Sequence, residues 1–471
     1  MIIVAAIAQL VTQLIANMTV IALPDISLEL SFSAETILWI NLIYLMSFVA
    51  FSLPFAKIIS QYGIKKCTKV SLLLLFASVL ISFFAFSEYM LLLSRLLQGL
   101  SSAALAISIY VMIVNEFEEK ELGSALGIVA SSGFVGMLIA PSFMGFMIYV
   151  ADWRAAFLIM IPFVAISLFL LRRINKEWVT EKKPIDNIGS LIYILMMASF
   201  AYGITELDQM GIVFVAISII LLIIFIKFEK VFEEPILNTK IFRNLRFTIG
   251  NYAAMVTYFT TTIAITALSF HLQYILDMEE YLVSLVLIIA PIIMIGMSNV
   301  AGKLANRFDP RLISSVALLS IFVSMIMYAF VDRLPFLLIL VAFGLQGLGN
   351  GMFSAPNNKF VLTIVEAEEL TDASSILSTS KEFGKILSSG IYALIFSIFI
   401  GNQALGPESL DASLIQSSNY MMIICAVLAF SAIILLLYSK YKYEYEINEE
   451  IIKIFKSITP ERIKKIFGDD E

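Results

Sequence analysis

The chain has 471 residues, of which 60% are hydrophobic and only 14% charged, and its formal net charge is -6. A soluble domain has about 45–50% apolar and about 25% charged residues, so this composition predicts a membrane protein. The single histidine argues against a histidine-built metal site or a serine–histidine triad, and two cysteines give no disulfide framework.

Fourteen apolar runs have roughly the length of 20 residues that a helix needs to span a bilayer. They lie near residues 2–22, 37–57, 70–86, 90–113, 122–148, 154–171, 188–206, 211–228, 247–271, 281–301, 312–331, 335–356, 373–400 and 419–438. No basic residue precedes the first run, so we expect no cleavable signal peptide.

Basic residues are distributed unevenly between the two sets of loops. If the first helix enters from the cytoplasm, all but five of the 31 lysines and arginines fall in cytoplasmic segments. The exceptions are Arg95, Arg154, Arg333, Lys381 and Lys385. Because cytoplasmic loops are enriched in lysine and arginine, we predict a multi-pass plasma-membrane protein with both termini in the cytoplasm.

The chain also repeats itself. Gln98-Gly99-Leu100 recurs as Gln346-Gly347-Leu348, and the stretch 125–136 recurs as 373–384 at the same spacing. This predicts two six-helix halves, at 1–171 and 247–438, with a linker and two inserted helices at 172–246. Transporters with duplicated halves bind substrate near the midplane between them. The tail, 439–471, alternates apolar and charged residues and predicts a cytoplasmic amphipathic segment, or a solvated, frayed one.

Two helix signatures carry a family resemblance. Arg95, Gln98 and Gly99 form the pattern Arg-x-x-Gln-Gly in the fourth run. A partial antiporter signature in the fifth run consists of Gly133, Gly136, Pro141 and Gly145. With these motifs the chain resembles the major facilitator superfamily and, within it, the fourteen-helix drug:proton antiporter (multidrug efflux) branch.

The loop signature of that superfamily, Gly-x-Leu-x-Asp-Arg-x-Gly-Arg-Lys, is degenerate here. Lys65 matches it in the first half, and Gly302 and Arg307 match it in the second, but Ser60 and Asn306 replace the aspartates. The resemblance implies that this loop latches one conformation. With neutral residues at both positions, we expect hydrogen bonds and contacts to helix ends in place of charge pairs.

The resemblance implies an all-α polytopic protein with the major facilitator fold: two six-helix halves plus two inserted helices, 14 in all. It implies a secondary active transporter, not an enzyme, that exports an organic or drug-like solute by alternating access in exchange for protons. The alternatives are an exporter or facilitator of an anionic or lipid-like compound without proton coupling, and a non-transporting sensor. Expected partners are a small-molecule substrate, the bilayer and protons, with no nucleic acid and no cofactor, and we expect a monomer.

Arg95 lies within an apolar run, where a charge is costly unless it faces a polar cavity. Drug antiporters of the branch carry an aspartate on the first helix, but here that position is Ile15. We therefore predict a net positive cavity in the N-terminal half, suited to a neutral or anionic substrate. Its candidate lining residues are Gln13, Asn17, Asn41, Tyr44, Arg95 and Gln98. The alternative is an arginine that only ties helices together.

Glu382 is the one acid placed well inside a predicted span of the C-terminal half, beside Lys381 and one turn from Lys385. Residues three apart share a helix face, so Glu382 and Lys385 are expected to pair. The functional interpretation makes Glu382 a protonatable coupling residue, with the two lysines tuning it. The alternative is a charge cluster that closes the cytoplasmic mouth.

Overall fold

The computed structural model describes residues 1–30, 34–178, 185–205, 209–232, 235–237, 239–400 and 409–457, and these ranges contain helices and no strand. The α-helices are α1 (Ile2–Leu30), α2 (Ala34–Tyr62), α3 (Ile64–Phe83), α4 (Glu88–Glu116), α5 (Glu119–Val150), α6 (Trp153–Ala156), α7 (Met160–Arg172), α8 (Asn187–Thr205), α9 (Gln209–Glu229), α10 (Leu245–Phe270), α11 (Glu280–Leu287), α12 (Ile289–Leu304), α13 (Pro310–Tyr328), α14 (Phe336–Thr363), α15 (Leu370–Ile400) and α16 (Ser409–Ser457). Helices satisfy their own backbone hydrogen bonds, which a bilayer requires.

The helices form fourteen membrane-length segments, one for each predicted apolar run. The sixth consists of α6 and α7, and the tenth of α11 and α12. Within the described ranges, thirteen segments are long and apolar enough to cross a membrane. The remaining one, α15, carries the charged residues Asp372, Lys381, Glu382 and Lys385. The predicted fourteen-helix fold is confirmed.

The two halves repeat one packing scheme. The first and fifth segments pack together in each half, as α1 with α5 and α10 with α15. The second and fourth do the same, as α2 with α4 and α12 with α14, and so do the third and sixth, as α3 with α7 and α13 with α16. The sequence repeat is therefore also a repeat of helix contacts.

The inserted helices α8 and α9 pack against each other, and α8 also packs on α2 and α15. Most of α9 faces outward with large apolar side chains, among them Ile212, Ile219, Ile220 and Ile223. Such a surface suits contact with lipid tails, since nothing polar on it would need a partner there. The inserted pair is thus a peripheral addition that touches both halves.

The halves meet where α5 packs on α12 and α14, and where α15 packs on α2 and α4. We call the end of the bundle that carries Lys57, Lys303 and Arg307 the basic end. Toward the opposite end, α5 and the beginning of α12 border a mostly apolar open cleft of about 450 Å³. Its lining residues are Leu138, Ile139, Ser142, Phe143, Phe146 and Ile288.

The last helix is longer than its apolar run predicts. α16 continues as a helix through the first part of the predicted tail and ends at Ser457. Residues 458–471, which include the second part of the predicted amphipathic tail, lie outside the described residues.

Candidate functional site

Arg95 is fully buried on α4 and bonds to two neighbouring helices. Its Nε donates to the carbonyl of Ile40 on α2 at 3.0 Å, and its Nη1 donates to the carbonyl of Ile15 on α1 at 2.9 Å. Nη1 also reaches Gln98 Oε1 at 2.8 Å, and Nη2 reaches Asn41 Oδ1 at 3.4 Å. Carbonyl oxygens have two lone pairs, so these helix carbonyls can accept a second donor.

Tyr44 completes the surroundings of Arg95, because its ring centroid lies 4.7 Å from the guanidinium carbon. Gln98 in turn donates to Ser82 at 2.9 Å, and Thr19 donates to Asn41 at 2.9 Å. The hydrogen-bond partners described for Arg95 are all neutral, so they satisfy its donors and leave its charge in place. In this conformation Arg95 joins α1, α2 and α4 and is not exposed to a cavity.

The six predicted cavity residues fall into two groups. Arg95, Gln98, Asn41 and Tyr44 come together as just described. Asn17 instead donates to the backbone oxygen of Gln13 at 2.7 Å and to its Oε1 at 3.4 Å. Gln13 packs against α5 beside Gly133 and Gly136. Asn17 and Gln13 therefore form a separate α1–α5 group.

Lys381 on α15 joins the two halves. Its Nζ donates to the hydroxyl of Tyr110 on α4 at 2.9 Å and to Asn358 Oδ1 on α14 at 2.8 Å. The same Nζ lies 4.8 Å from the centroid of the Tyr110 ring. All three side chains are buried, so this cation is held by neutral groups at the interface of the halves.

Glu382 and Lys385 form the predicted ion pair, with 2.8 Å between Glu382 Oε1 and Lys385 Nζ. The other carboxylate oxygen, Oε2, is buried and has no hydrogen-bond partner among the described residues. Lys385 Nζ also lies 5.5 Å from the Tyr258 ring on α10. Glu382 lies on α15, which packs against α2 and α4, the helices that carry Tyr44 and Arg95.

We call these residues together the central site: Tyr44, Arg95, Tyr110, Tyr258, Asn358, Lys381, Glu382 and Lys385. The central site draws on α2 and α4 from one half and on α10, α14 and α15 from the other. Three cationic side chains and one carboxylate leave two positive charges in excess. A net positive charge of this kind favours a nearby anion over a cation.

The basic end is closed by polar contacts between the halves. Lys57 on α2 pairs with Asp372 on α15 at 2.6 Å. Lys359 on α14 donates to the carbonyl of Glu119 at 2.6 Å and to that of Ala305 at 3.1 Å. Both lysines therefore bind groups that would separate if the halves moved apart here.

The degenerate loop signature takes part in this closure through amides. Asn306 Oδ1 accepts the backbone N–H of Gly123 at 2.7 Å, and its Nδ2 donates to Ser124 at 2.8 Å. Gly302 faces Gly123 and Gly127 on α5 so closely that an added Cβ would collide with the Gly123 carbonyl. The neutral residue in the aspartate position thus bonds to the first turns of α5.

The other residues predicted to control conformation are dispersed. Gly99 packs against Ser47 and the carbonyl of Tyr44, where a Cβ would not fit. The backbone N–H of Lys65 donates to a carboxylate oxygen of Glu177 at 2.7 Å, and Arg307 is exposed. Pro141 and Gly145 lie in the part of α5 between Leu138 and Phe146, where other side chains line the apolar cleft.

A family model described as the Major Facilitator Superfamily matches residues 5–332 and, in a second match, residues 251–469. The chain belongs to the Major Facilitator Superfamily. It is a multi-pass membrane transporter and not an enzyme. The predicted membership and its drug-efflux-like branch are both confirmed.

Relatives of this superfamily member include two named transporters. It is 24% identical over 437 residues to the riboflavin transporter RibZ of Clostridioides difficile, covering 91% of this chain and 94% of that protein. It is 23% identical over 391 residues to the multidrug resistance protein Stp of Mycobacterium tuberculosis, which covers 81% of this chain and 72% of that protein. The solved proton:xylose symporter XylE shares its fold, with a TM-score of 0.65 at 12% identity over 91% and 94% of the two chains.

Sequence reasoning missed several residues of this transporter's sites. Tyr110 is hidden in an apolar run, and Tyr258 has no pattern that distinguishes it from a core aromatic residue. Asn358 and Lys359 belong to a polar group just after the predicted end of the twelfth run. That group is a sequence signal for a functional site. Lys57 was counted only as one more basic loop residue, although the structure places it against Asp372.

Proposed function

We propose that this transporter exports an organic, drug-like solute by alternating access, in exchange for protons. The observation that carries the proposal is the central site, in which Lys381 bonds to Tyr110 across the two halves. A substrate that binds between the halves has to displace or rearrange such contacts. That requirement links occupancy of the site to the relative position of the halves.

We further propose that the basic end faces the cytoplasm of the cell and that the protein lies in the plasma membrane with both termini inside. The support is the concentration of lysine and arginine in loops on one side. With that orientation, the closed basic end corresponds to a conformation that is sealed on the cytoplasmic side.

The excess positive charge of the central site supports a neutral or anionic substrate. Tyr44, Tyr110 and Tyr258 offer aromatic surfaces beside the cationic groups, as an aromatic solute would require. Similarity over most of the chain to a riboflavin transporter and to a multidrug resistance protein also supports an organic solute.

Glu382 is the proposed proton-coupling residue. As a carboxylate it pairs with Lys385, and its free oxygen Oε2 is buried without a described partner. The free oxygen Oε2 could accept a hydrogen bond from an N–H or O–H group of the substrate, and protonation of that oxygen would remove the acceptor. Substrate and proton would thus compete for the same carboxylate, as exchange requires.

Glu382→Gln tests this coupling. The amide cannot exchange protons, so we expect transport driven by an imposed pH gradient in liposomes to be abolished. Downhill transport of the same substrate without a gradient is expected to continue, at a changed rate. The matched control is Glu368→Gln, which removes an exposed acid near the beginning of α15. Full pH-driven transport by Glu382→Gln would show that Glu382 is not the coupling residue.

Export or facilitated diffusion without proton coupling is the second candidate, because Ile15 stands where the drug antiporters carry a helix 1 aspartate. A panel of cationic, neutral and anionic compounds, assayed in liposomes with and without a pH gradient, separates the two. Equal rates under both conditions would favour the uncoupled transporter. Cationic dyes as the best substrates would contradict the charge argument for the central site.

A further inference from the structure

Two carboxylates are buried where the inserted helices meet at the basic end. Asp186 precedes α8 and is 2% exposed, and Glu229 ends α9 and is 4% exposed. Neither belongs to the central site or to the contacts that close the basic end. Acids buried this deeply are rare unless they are paired or protonated.

One oxygen of each carboxylate has a backbone donor. Asp186 Oδ1 accepts the N–H of Gly189 at 2.8 Å, and Glu229 Oε2 accepts the N–H of Leu237 at 3.0 Å. The second oxygens, Asp186 Oδ2 and Glu229 Oε1, are buried and have no hydrogen-bond partner in the described ranges. Each carboxylate is therefore held firmly by one oxygen and left unsatisfied at the other.

The two unsatisfied oxygens both lie beside Gly189. Both face Gly189, where a Cβ would stand 2.6 Å from Glu229 Oε1 and would also collide with Asp186 Oδ2. The absence of a side chain at residue 189 leaves the space in which these oxygens approach one another. Gly189 also donates its backbone N–H to Asp186. This glycine therefore positions Asp186 and leaves room for Glu229.

Two negative charges cannot share a buried site without a compensating cation, and a carboxylic acid has an O–H that can donate to a carboxylate. A single proton between the two oxygens would supply each with a hydrogen-bond partner and remove one of the two charges. Aspartic-protease sites combine two carboxylates with one proton for the same reason.

We propose that Asp186 and Glu229 bind one shared proton, and that this proton is released when the halves separate at the basic end. The release part of the proposal rests on the proposed alternating access. It assigns to the inserted helix pair a proton site separate from Glu382.

The charged groups around the pair explain the coupling. Lys57 on α2 is within electrostatic range of Glu229, and in this conformation it is paired with Asp372 on α15. Lys227 and Lys230, near Glu229 in the chain, have exposed side chains. If α15 withdraws from α2, Lys57 loses Asp372 and its charge becomes available to the two acids. A cation beside the pair favours its ionised form, so the proton leaves.

Infrared spectroscopy of the purified full-length protein, without substrate, tests the site directly. We expect a protonated-carboxyl C=O band that shifts in D2O and disappears as pH is raised through about 5 to 8. Glu229→Gln and Asp186→Asn should each remove this band, because the amide satisfies the remaining carboxylate without a proton. The control Glu368→Gln should leave it unchanged. A band that persists in both pair variants would overturn the proposal.

Thermal unfolding over the same pH range provides a second measurement. The folded state would bind a proton that the unfolded state releases, so the unfolding free energy of the wild type should fall as pH rises. The slope should correspond to the release of up to one proton per molecule on unfolding. That slope should vanish in Glu229→Gln. If Na⁺ or K⁺ at fixed high pH restores the wild-type melting temperature, the site binds a metal cation instead, which contradicts the proposal.

Asp372→Asn tests the coupling to the halves. It frees Lys57 without altering the pair, so we expect the infrared band to disappear at lower pH than in wild type, whereas Lys57→Ala should shift it to higher pH. No shift in either variant would refute the link to Lys57. These readouts need no transported substrate, so failure of the proposed export would leave the proton site standing, and loss of the band would leave export standing.

Discussion

At the scale of single residues, the clearest lesson comes from Arg95. A charge within an apolar run predicts a functional cavity, yet the guanidinium is buried and bonded to carbonyls and amides of three helices. Its immediate partners are neutral, which lets it fix helix positions and still contribute positive charge to the central site. The sequence shows that a charge lies within an apolar run. It does not show which backbone carbonyls of other helices accept the hydrogen bonds of that charge.

Arg95→Lys should be strongly destabilising despite keeping the charge. A lysine has one nitrogen and cannot reach Ile15 and Ile40 together in the geometry of the guanidinium fork. Each hydrogen bond to a charged group contributes about 1.5–3 kcal/mol, so we expect a clear drop in melting temperature. Arg333→Lys, at an exposed position, is the control. Equal melting temperatures for the two variants would show that the fork geometry is unimportant.

At the scale of elements, the closure of the basic end depends on how closely α5 and α12 approach. Gly302 meets Gly123 and Gly127 there, and Ser298 donates to the carbonyl of Gly127 at 3.1 Å. Small residues allow helices in a bilayer to pack backbone to backbone, where short contacts replace the hydrophobic effect. The loop signature therefore works here through helix packing and one amide, Asn306.

Gly302→Ala should weaken this closure. Its Cβ would overlap the Gly123 carbonyl, so α12 has to move away from α5. We expect a longer distance between spin labels on exposed Tyr62 and Phe308, one in each half, measured by pulsed electron resonance in a cysteine-free protein. Gly296→Ala on the same helix is the matched control, because nothing lies within 4 Å of its added Cβ. Identical distance distributions in the two variants would contradict this role of Gly302.

The positions of the helices could be predicted from the sequence, but the contacts between the two halves could not. Fourteen apolar runs gave fourteen segments because a bilayer imposes one length and one composition on each. Glu382 and Lys385 were expected to pair because helix geometry fixes residues three apart. Asn17 was expected near Arg95 only because the two residues lie at a similar depth in the bilayer. Depth does not determine which way a side chain points around its helix axis, and Asn17 donates to Gln13.

At the scale of the whole molecule, an ion pair between Lys57 and Asp372 joins the two halves at the basic end. Lys57 and Asp372 are far apart in the chain, and their 2.6 Å pair depends on the mutual placement of α2 and α15. No local pattern encodes that placement. It arises from two repeated halves that pack alike internally and face each other, so we expect the pair to break when the halves move apart at the basic end.

Reversing the Lys57–Asp372 pair tests this role. Lys57→Asp or Asp372→Lys alone should open the basic end, because each places like charges at the interface. A partly buried pair contributes about 1 kcal/mol, which changes the ratio of closed to open molecules about fivefold. The double variant should restore the wild-type distance between labels on Tyr62 and Phe308. Failure of the double variant to restore it, with both single variants open, would indicate that position and not charge matters.

If lipophilic solutes enter through the apolar cleft beside α5, their transport kinetics depend on how they partition into the bilayer. Phe143, Phe146 and Ile288 border an opening that is mostly hydrocarbon in character. A solute dissolved in the surrounding leaflet would meet this opening without returning to water. Its encounter rate would then scale with its membrane–water partition coefficient, and an apparent affinity expressed per litre of buffer would vary with the amount of lipid in the assay.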